Sequence, residues 1–141
     1  MPSRDLNDLH PAVAAKATEL VRLANTDGIE ILITSTLRTF QEQADLFAIG
    51  RTKPGKIVTN AKAGDSWHNF GLAFDVVPLV NGKAIWDSPF WNKIGTLGKQ
   101  IDLIWGGDFK TFKDKPHFEF HPNLTSAEAN QRKANNQSLI V

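Results

Sequence analysis

Two histidines, two aspartates and an arginine carry the chemistry in this sequence. His68 and Asp75 fall within the run from Ser66 to Asp75, Asp114 and His117 within Asp-Lys-Pro-His, and Arg38 stands apart from both. Zinc in a hydrolytic site takes about three protein ligands and keeps a fourth position open for water. Two neutral imidazoles and one carboxylate leave such a centre net positive, which brings the pKa of that water to roughly 7. His68, Asp75 and His117 are of the right types for this set. Asp114 precedes His117 by three residues, with Pro116 stiffening the link, so it can stand beside the water as general base without being a ligand. Arg38 suits a developing oxyanion, the role a fixed cation plays in hydrolysis.

The plainer readings of the same residues stay open on spacing alone. A single histidine in a strand is more often a satisfied core or edge residue than a ligand, and Asp75 could pair with Arg38 as a buried ion pair. Asp108, Glu119 and His121 read as surface groups, although Glu119 and His121 share a strand face with His117 and are reserve candidates for the ligand set or its surroundings. Trp67, Trp86, Trp91 and Trp105 read as packing rather than as a sugar-binding platform.

These residues need elements to hold them. Pro11 to Ala24 has apolar residues at helical spacing, with Lys16, Glu19 and Arg22 turned outward. After Asp27-Gly28, the β-branched run from Ile29 to Thr36 predicts a buried strand. Thr39 caps a second helix, with Glu42 at the capping-box position and an expected apolar face of Ala44, Leu46, Phe47 and Ala48. Arg38 therefore lies at a strand-to-helix junction. Residues 51–65 read as a loop long enough to line a site. Gly71 breaks the chain before a strand, Leu72 to Val77, which carries Asp75 on the same face as Ala73 and Val77. A carboxylate in such an apolar strand is unfavourable unless a cation meets it. Asn81-Gly82 marks a hairpin turn. Ser88-Pro89 predicts the start of a third helix running to about Leu103, with Phe90, Ile94, Leu97 and Ile101 on one side. In the last strand, Pro116 to Phe120, Phe118 and Phe120 alternate with His117, Glu119 and His121, and Thr125 to Glu128 has capping-box spacing ahead of a polar segment that reads as a short helix fraying at Asn135-Asn136.

The 141 residues, 41% hydrophobic, suffice for one core. Sixteen Lys and Arg against fifteen Asp and Glu leave a formal +1, so the basic footprint of a nucleic-acid binder is missing and no nucleic-acid partner is expected. The absence of cysteine removes thiolate from the possible ligands and disulfides from the possible staples. No run approaches the ~18 apolar residues of a membrane span, and the N-terminus lacks a signal-peptide core. A product made in the cytoplasm, without stable membrane association, is expected.

With these residues in view, the sequence resembles a known family. Ser66-x-His68-x-x-Gly71-x-Ala73-x-Asp75, followed by Asp114-x-Pro116-His117, resembles the signature of the zinc peptidases grouped as VanY-like D,D-carboxypeptidases and L-alanyl-D-glutamate endopeptidases, which share a fold with the hedgehog signalling domain. Leu9-His10-Pro11, Leu37-Arg38-Thr39, Gly50-Arg51, the run from Pro54 to Ala61, His68-Asn69-Phe70-Gly71 and Trp105-Gly106-Gly107-Asp108 resemble the endopeptidase branch found in phage endolysins and bacterial wall hydrolases. The resemblance spans residues 9 to 120. It implies a small α+β domain, an antiparallel sheet with packed helices, over residues 1–141, with a core at about 9–121 and a polar tail at 125–141. It also implies that His68, Asp75 and His117 bind Zn2+, that Asp114 is the base, that Arg38 stabilises the substrate, and that Ser66 contacts substrate or supports a ligand. Phe40 departs from the tyrosine often found after the Arg-Ser/Thr pair, so no phenol is available there.

The activity implied is hydrolysis of the L-alanyl-D-glutamate bond in peptidoglycan stem peptides, in the service of host lysis. A monomer is expected, waiting in the bacterial cytoplasm until a holin or similar pore admits it to the wall in the periplasm. A catalytic domain without an attached wall-binding domain points to a phage or prophage of a Gram-negative host. The rivals are a D,D- or L,D-carboxypeptidase of the same family, which releases a terminal residue, and a non-catalytic wall-binding module.

Overall fold

A computed structural model describes residues 3–140; Met1, Pro2 and Val141 of the expected 1–141 domain lie outside it. The first long element is α1 (Pro11–Thr26), with proline in its first turn and the His10 imidazole accepting from the Ala12 N–H as cap. Its inward stripe of Val13, Ala17, Leu20 and Ala24 is fully buried. The strands are β1 (Glu30–Ser35), β2 (Ala73–Val80), β3 (Lys83–Ala84), β4 (Ile104–Trp105) and β5 (His117–Glu119). They form one antiparallel sheet in the order β1-β2-β5-β4, with β3 hairpinned onto the far end of β2. The expected strand and the first arm of the expected hairpin are thus one continuous strand.

Residues opposite one another in register share a face, and this divides the sheet. Ile33 pairs with Val76, Phe74 with Phe118, and Phe118 with Trp105. That face belongs to the core, which includes the buried residues of α1 and of α3 (Trp91–Gln100), and the Phe74 and Phe118 rings lie 5.7 Å apart. Each such side chain contributes roughly 1.5–3 kcal/mol on full burial. The opposite face carries Asp75 against His117 and Ala73 against Glu119.

α2 (Phe40–Ala48) has the expected capping box between Thr39 and Glu42. Its expected apolar face is not buried, however: Gln43 is the one buried residue of the helix, while Ala44, Leu46, Phe47 and Ala48 are half-exposed. α3 also begins later than expected, because Ser88 Oγ accepts from the Phe90 N–H in a turn ahead of the helix. Trp91 turns inward there and Phe90 stays in solvent, the reverse of the expected phase for that position. Residues 51–65 form no helix or strand. The polar C-terminal stretch forms α4 (Ser126–Ala134), capped by Thr125 and Glu128, with Ala129 fully buried. Among the described residues, no helix is long and apolar enough to cross a membrane.

Candidate metal centre

Three short segments converge at one end of the polar sheet face. In β1 the register slips between Ile33 and Ser35, a bulge that re-aims the strand end. The chain then runs through Thr36 to Arg38, where the Arg38 N–H donates to the His68 carbonyl at 2.9 Å. The second segment is a single 3-10 turn, Trp67–Phe70, whose N-cap Ser66 accepts from the His68 N–H at 3.3 Å. Gly71 closes it at φ +68°, a left-handed conformation that glycine adopts without penalty, and a Cβ there would stand 2.8 Å from the Asp8 carbonyl oxygen. This reversal sends His68 and Asp75 toward one point. The third segment is the turn at Asp114, whose carbonyl accepts from the His117 N–H at 3.1 Å. It packs so closely on Gly106 that a Cβ there would lie 2.2 Å from the Asp114 carbonyl oxygen.

The result is a triangle of potential ligand atoms. His68 Nε2 and His117 Nδ1 are 3.2 Å apart, and each lies 3.3 Å from Asp75 Oδ1. Among the described residues, these three form the group that could hold a metal ion. The other nitrogen of each ring is already engaged: His68 Nδ1 lies 2.8 Å from the Thr36 carbonyl, and His117 Nε2 lies 2.7 Å from Glu119 Oε1. A carbonyl can only accept, so His68 Nδ1 carries the proton and Nε2 presents its lone pair to the triangle. Two imidazoles and a carboxylate, oriented by outer hydrogen bonds in this way, are a donor set that zinc accepts.

Opposite charges in and around the triangle hold one another. Burial alone would raise the Asp75 pKa, but the His68 and His117 rings outweigh it and hold the carboxyl well below the ordinary range. Burial would lower that of His117, but its bonds to Asp75 and Glu119 prevail and raise it to about 10. Glu119 is likewise opposed by burial and brought to about 2 by His117 and His121. Asp114 moves the other way. Partial desolvation and the Asp75 charge raise its pKa, against the pull of His117, His68 and Arg38.

The triangle opens into a cleft of about 540 Å³. Arg38, Ser66, His68, Asp114 and His117 all line it, together with Val58 to Ala61 from the long loop, Phe109, and Thr111 to Lys113. Arg38 is anchored by Nη1 donating to Gln43 Oε1 at 2.8 Å, while its Nη2 stands 4.0 Å from Asp75 Oδ2. The ion pair considered as an alternative role for Asp75 is therefore a loose contact beside the triangle. Gln43 in turn donates to the Ala61 carbonyl at 2.7 Å. Nothing in the sequence marks this fully buried glutamine, which stands among the polar Gln41, Glu42 and Asp45 of the same helix. Glu119, expected at the surface, is 7% exposed and bonded to both His117 and His121. Trp67 lines the cleft and stacks on His121, whereas Trp86 is exposed. Asp108 is a surface group, paired with Lys99. Phe40 packs edge-on against Phe70 and is not among the cleft residues.

Comparison with known proteins follows the same lines. A family model described as D-alanyl-D-alanine carboxypeptidase matches residues 59–120, the span that contains His68, Asp75, Asp114 and His117. The peptidoglycan L-alanyl-D-glutamate endopeptidase CwlK of Bacillus subtilis is 42% identical over 127 residues, covering 83% of this chain and 76% of that protein. An L-alanyl-D-glutamate peptidase of a Listeria phage is 30% identical over 121 residues, and this chain spans 40% of its length. In fold, the chain is similar to the vancomycin-resistance D,D-pentapeptidase VanY, solved as a mutant in complex with Zn(II), with a TM-score of 0.62 and 15% identity over 93% of this chain and 81% of that one. Identity of this extent to CwlK, over most of both chains, leaves one conclusion about descent: the chain belongs to the family of peptidoglycan peptidases that includes the D-alanyl-D-alanine carboxypeptidases and the L-alanyl-D-glutamate endopeptidases.

Proposed function

We propose that this protein is a zinc peptidase that cleaves the L-alanyl-D-glutamate bond in the stem peptides of peptidoglycan. The observation that carries the reading is the triangle of His68 Nε2, Asp75 Oδ1 and His117 Nδ1, open to a cleft that Asp114 and Arg38 also line. The choice of bond is supported by the 42% identity to an enzyme named for it. His68, Asp75 and His117 would hold the zinc, which when bound supplies Lewis acidity and lowers the pKa of water to roughly 7.

The chain's own residues account for the rest of the chemistry. Asp114 takes a proton from the attacking water and later gives it to the departing amine of D-glutamate. Its raised pKa suits both roles, since a carboxyl of ordinary acidity holds a proton too weakly to return it near neutral pH. Arg38, fixed by Gln43, places a permanent cation where the L-alanyl carbonyl oxygen becomes negative. Ser66 holds the turn that carries His68. The stem would lie in the cleft lined by Val58 to Ala61, Phe109 and Thr111 to Lys113. The biological use proposed is host lysis, which the phage relative supports, by a monomeric enzyme that accumulates in the host cytoplasm and reaches the wall through a holin-type pore.

The carboxypeptidase description of the matching family model favours one rival, removal of a terminal D-alanine. Purified protein incubated with peptidoglycan, with and without a chelator, separates the two when new amino termini are identified by mass spectrometry. Chelator-sensitive stems beginning at D-glutamate are expected. Free D-alanine would replace the reading by the rival, and intact stems in the presence of bound zinc would overturn both in favour of a binding module.

A further inference from the structure

Three ionisable side chains stand in one row on β5 and just beyond it, because alternate residues of a strand share a face: His117, Glu119 and His121. Glu119 lies between the other two. Its Oε1 accepts from His117 Nε2 at 2.7 Å, and its Oε2 is bonded to His121 Nε2. The cross-strand neighbours of Glu119 are Ala73 on β2 and Ile104 on β4. At 7% exposure, a carboxylate is retained only with partners of this kind. His121 is itself fixed, since its ring stacks on the Trp67 indole with centroids 3.8 Å apart and planes 8° from parallel. Trp67 immediately precedes His68. The row therefore closes a loop from one candidate ligand, His117, through Glu119, His121 and Trp67 to the other, His68.

The two histidines of the triangle are held unequally. His68 donates to a neutral carbonyl, that of Thr36, whereas His117 faces a carboxylate. A carboxylate on the far nitrogen selects the tautomer with the proton on Nε2, leaves Nδ1 free as the ligand atom and makes the ring a stronger donor. We propose that Glu119 is a positioning residue for the metal centre, setting the tautomer and donor strength of His117, and that His121, clamped on Trp67, sets the orientation of Glu119. This rests on the zinc-centre reading above. It assigns Glu119 no contact with the reacting atoms.

The test uses Glu119→Gln, which keeps the shape and an acceptor while removing the charge, and His121→Phe, which keeps a ring on Trp67 while removing the bond to Glu119. Zinc affinity is measured by competition with a chromophoric chelator, and the His117 ring in the zinc-loaded protein is followed by long-range proton–nitrogen NMR. In the wild type, Nδ1 is expected as the coordinating nitrogen, with a strongly downfield Nε2–H. Glu119→Gln is expected to weaken zinc binding 10- to 100-fold and to move that proton upfield, with a smaller loss in His121→Phe. A role in packing alone would lower the Tm of the variants and move neither reading. Wild-type zinc binding through His117 with unchanged affinity and an unchanged Nε2–H in Glu119→Gln overturns the proposal while leaving the zinc site standing. Failure of the wild type to bind zinc overturns both.

Discussion

At Asp114, two sets of forces act on one carboxyl group. Partial desolvation and the neighbouring Asp75 charge raise its pKa, and the pull of His117, His68 and Arg38 restrains the rise. A base must be deprotonated to act, so activity should rise with pH through the Asp114 pKa, with the acid limb of kcat/KM above the ordinary aspartate value of about 3.9. Asp114→Ala should abolish that limb and lower turnover by roughly 10²–10⁴ while retaining zinc. His68→Ala should lose both zinc and turnover, because His68 supplies a corner of the triangle. Metal analysis beside kinetics on the two variants separates the roles, and equal zinc loss in both would make Asp114 a ligand. Residue types alone pointed to His68, Asp75, His117, Asp114 and Arg38, because few side chains can ligate zinc or transfer a proton. They did not point to Gln43, and they left Glu119 only a reserve candidate. A glutamine becomes an anchor for arginine, and a glutamate a partner for histidine, only through which neighbours fold against them.

Elements meet at this site with little room to spare. The Asp114 turn lies directly on Gly106, where a Cβ would stand 2.2 Å from the Asp114 carbonyl oxygen and 3.0 Å from His117 Cβ. Gly106→Ala must push the turn outward, carrying Asp114 and His117 with it. Misplacement by about 1 Å can reduce a rate 10²-fold, so the variant should fold, by circular dichroism, and yet lose on the order of 10²-fold in kcat/KM. Wild-type kinetics in Gly106→Ala would show that the turn tolerates the displacement. On the other side of the site, α4 packs against the segment that carries His68: Asn130 donates to the Gly64 carbonyl at 2.8 Å, and Lys133 lies over the Phe40 and Phe70 rings. Nothing in the polar composition of that stretch announces such a role. Its capping box and its short helix were legible beforehand, because a cap is a local hydrogen-bond pattern and a docking surface is not.

Across the whole molecule, the charged cluster ties stability to pH and to metal. The His117 pKa is raised from 6.5 to about 10, so its contribution is full below the unfolded value of about 6.5 and is lost as pH rises toward 10. Asp75 and Glu119 are lowered, Glu119 from 4.5 to about 2, so their contributions are full above the unfolded values and are lost as pH falls through the folded ones. Chelator-treated protein should therefore be most stable between about pH 4.5 and 6.5. Zinc must displace the proton shared by His117, so the gain in Tm on adding zinc should widen from pH 6 to pH 9. Thermal melts across that range check both statements, and a chelated protein that grows more stable from pH 6.5 to 10 would contradict them. The sequence by itself determined the phase of β2 and β5, since strand alternation and turn residues act over a few positions, and through its family resemblance it implied the antiparallel α+β architecture and the candidate ligands. The tertiary structure alone decided which way α2 faces and where α3 begins, that Glu119 is buried rather than solvated, and that Trp67, His121 and α4 brace the site. Those outcomes depend on contacts between segments far apart in the chain, whose energies no local pattern records.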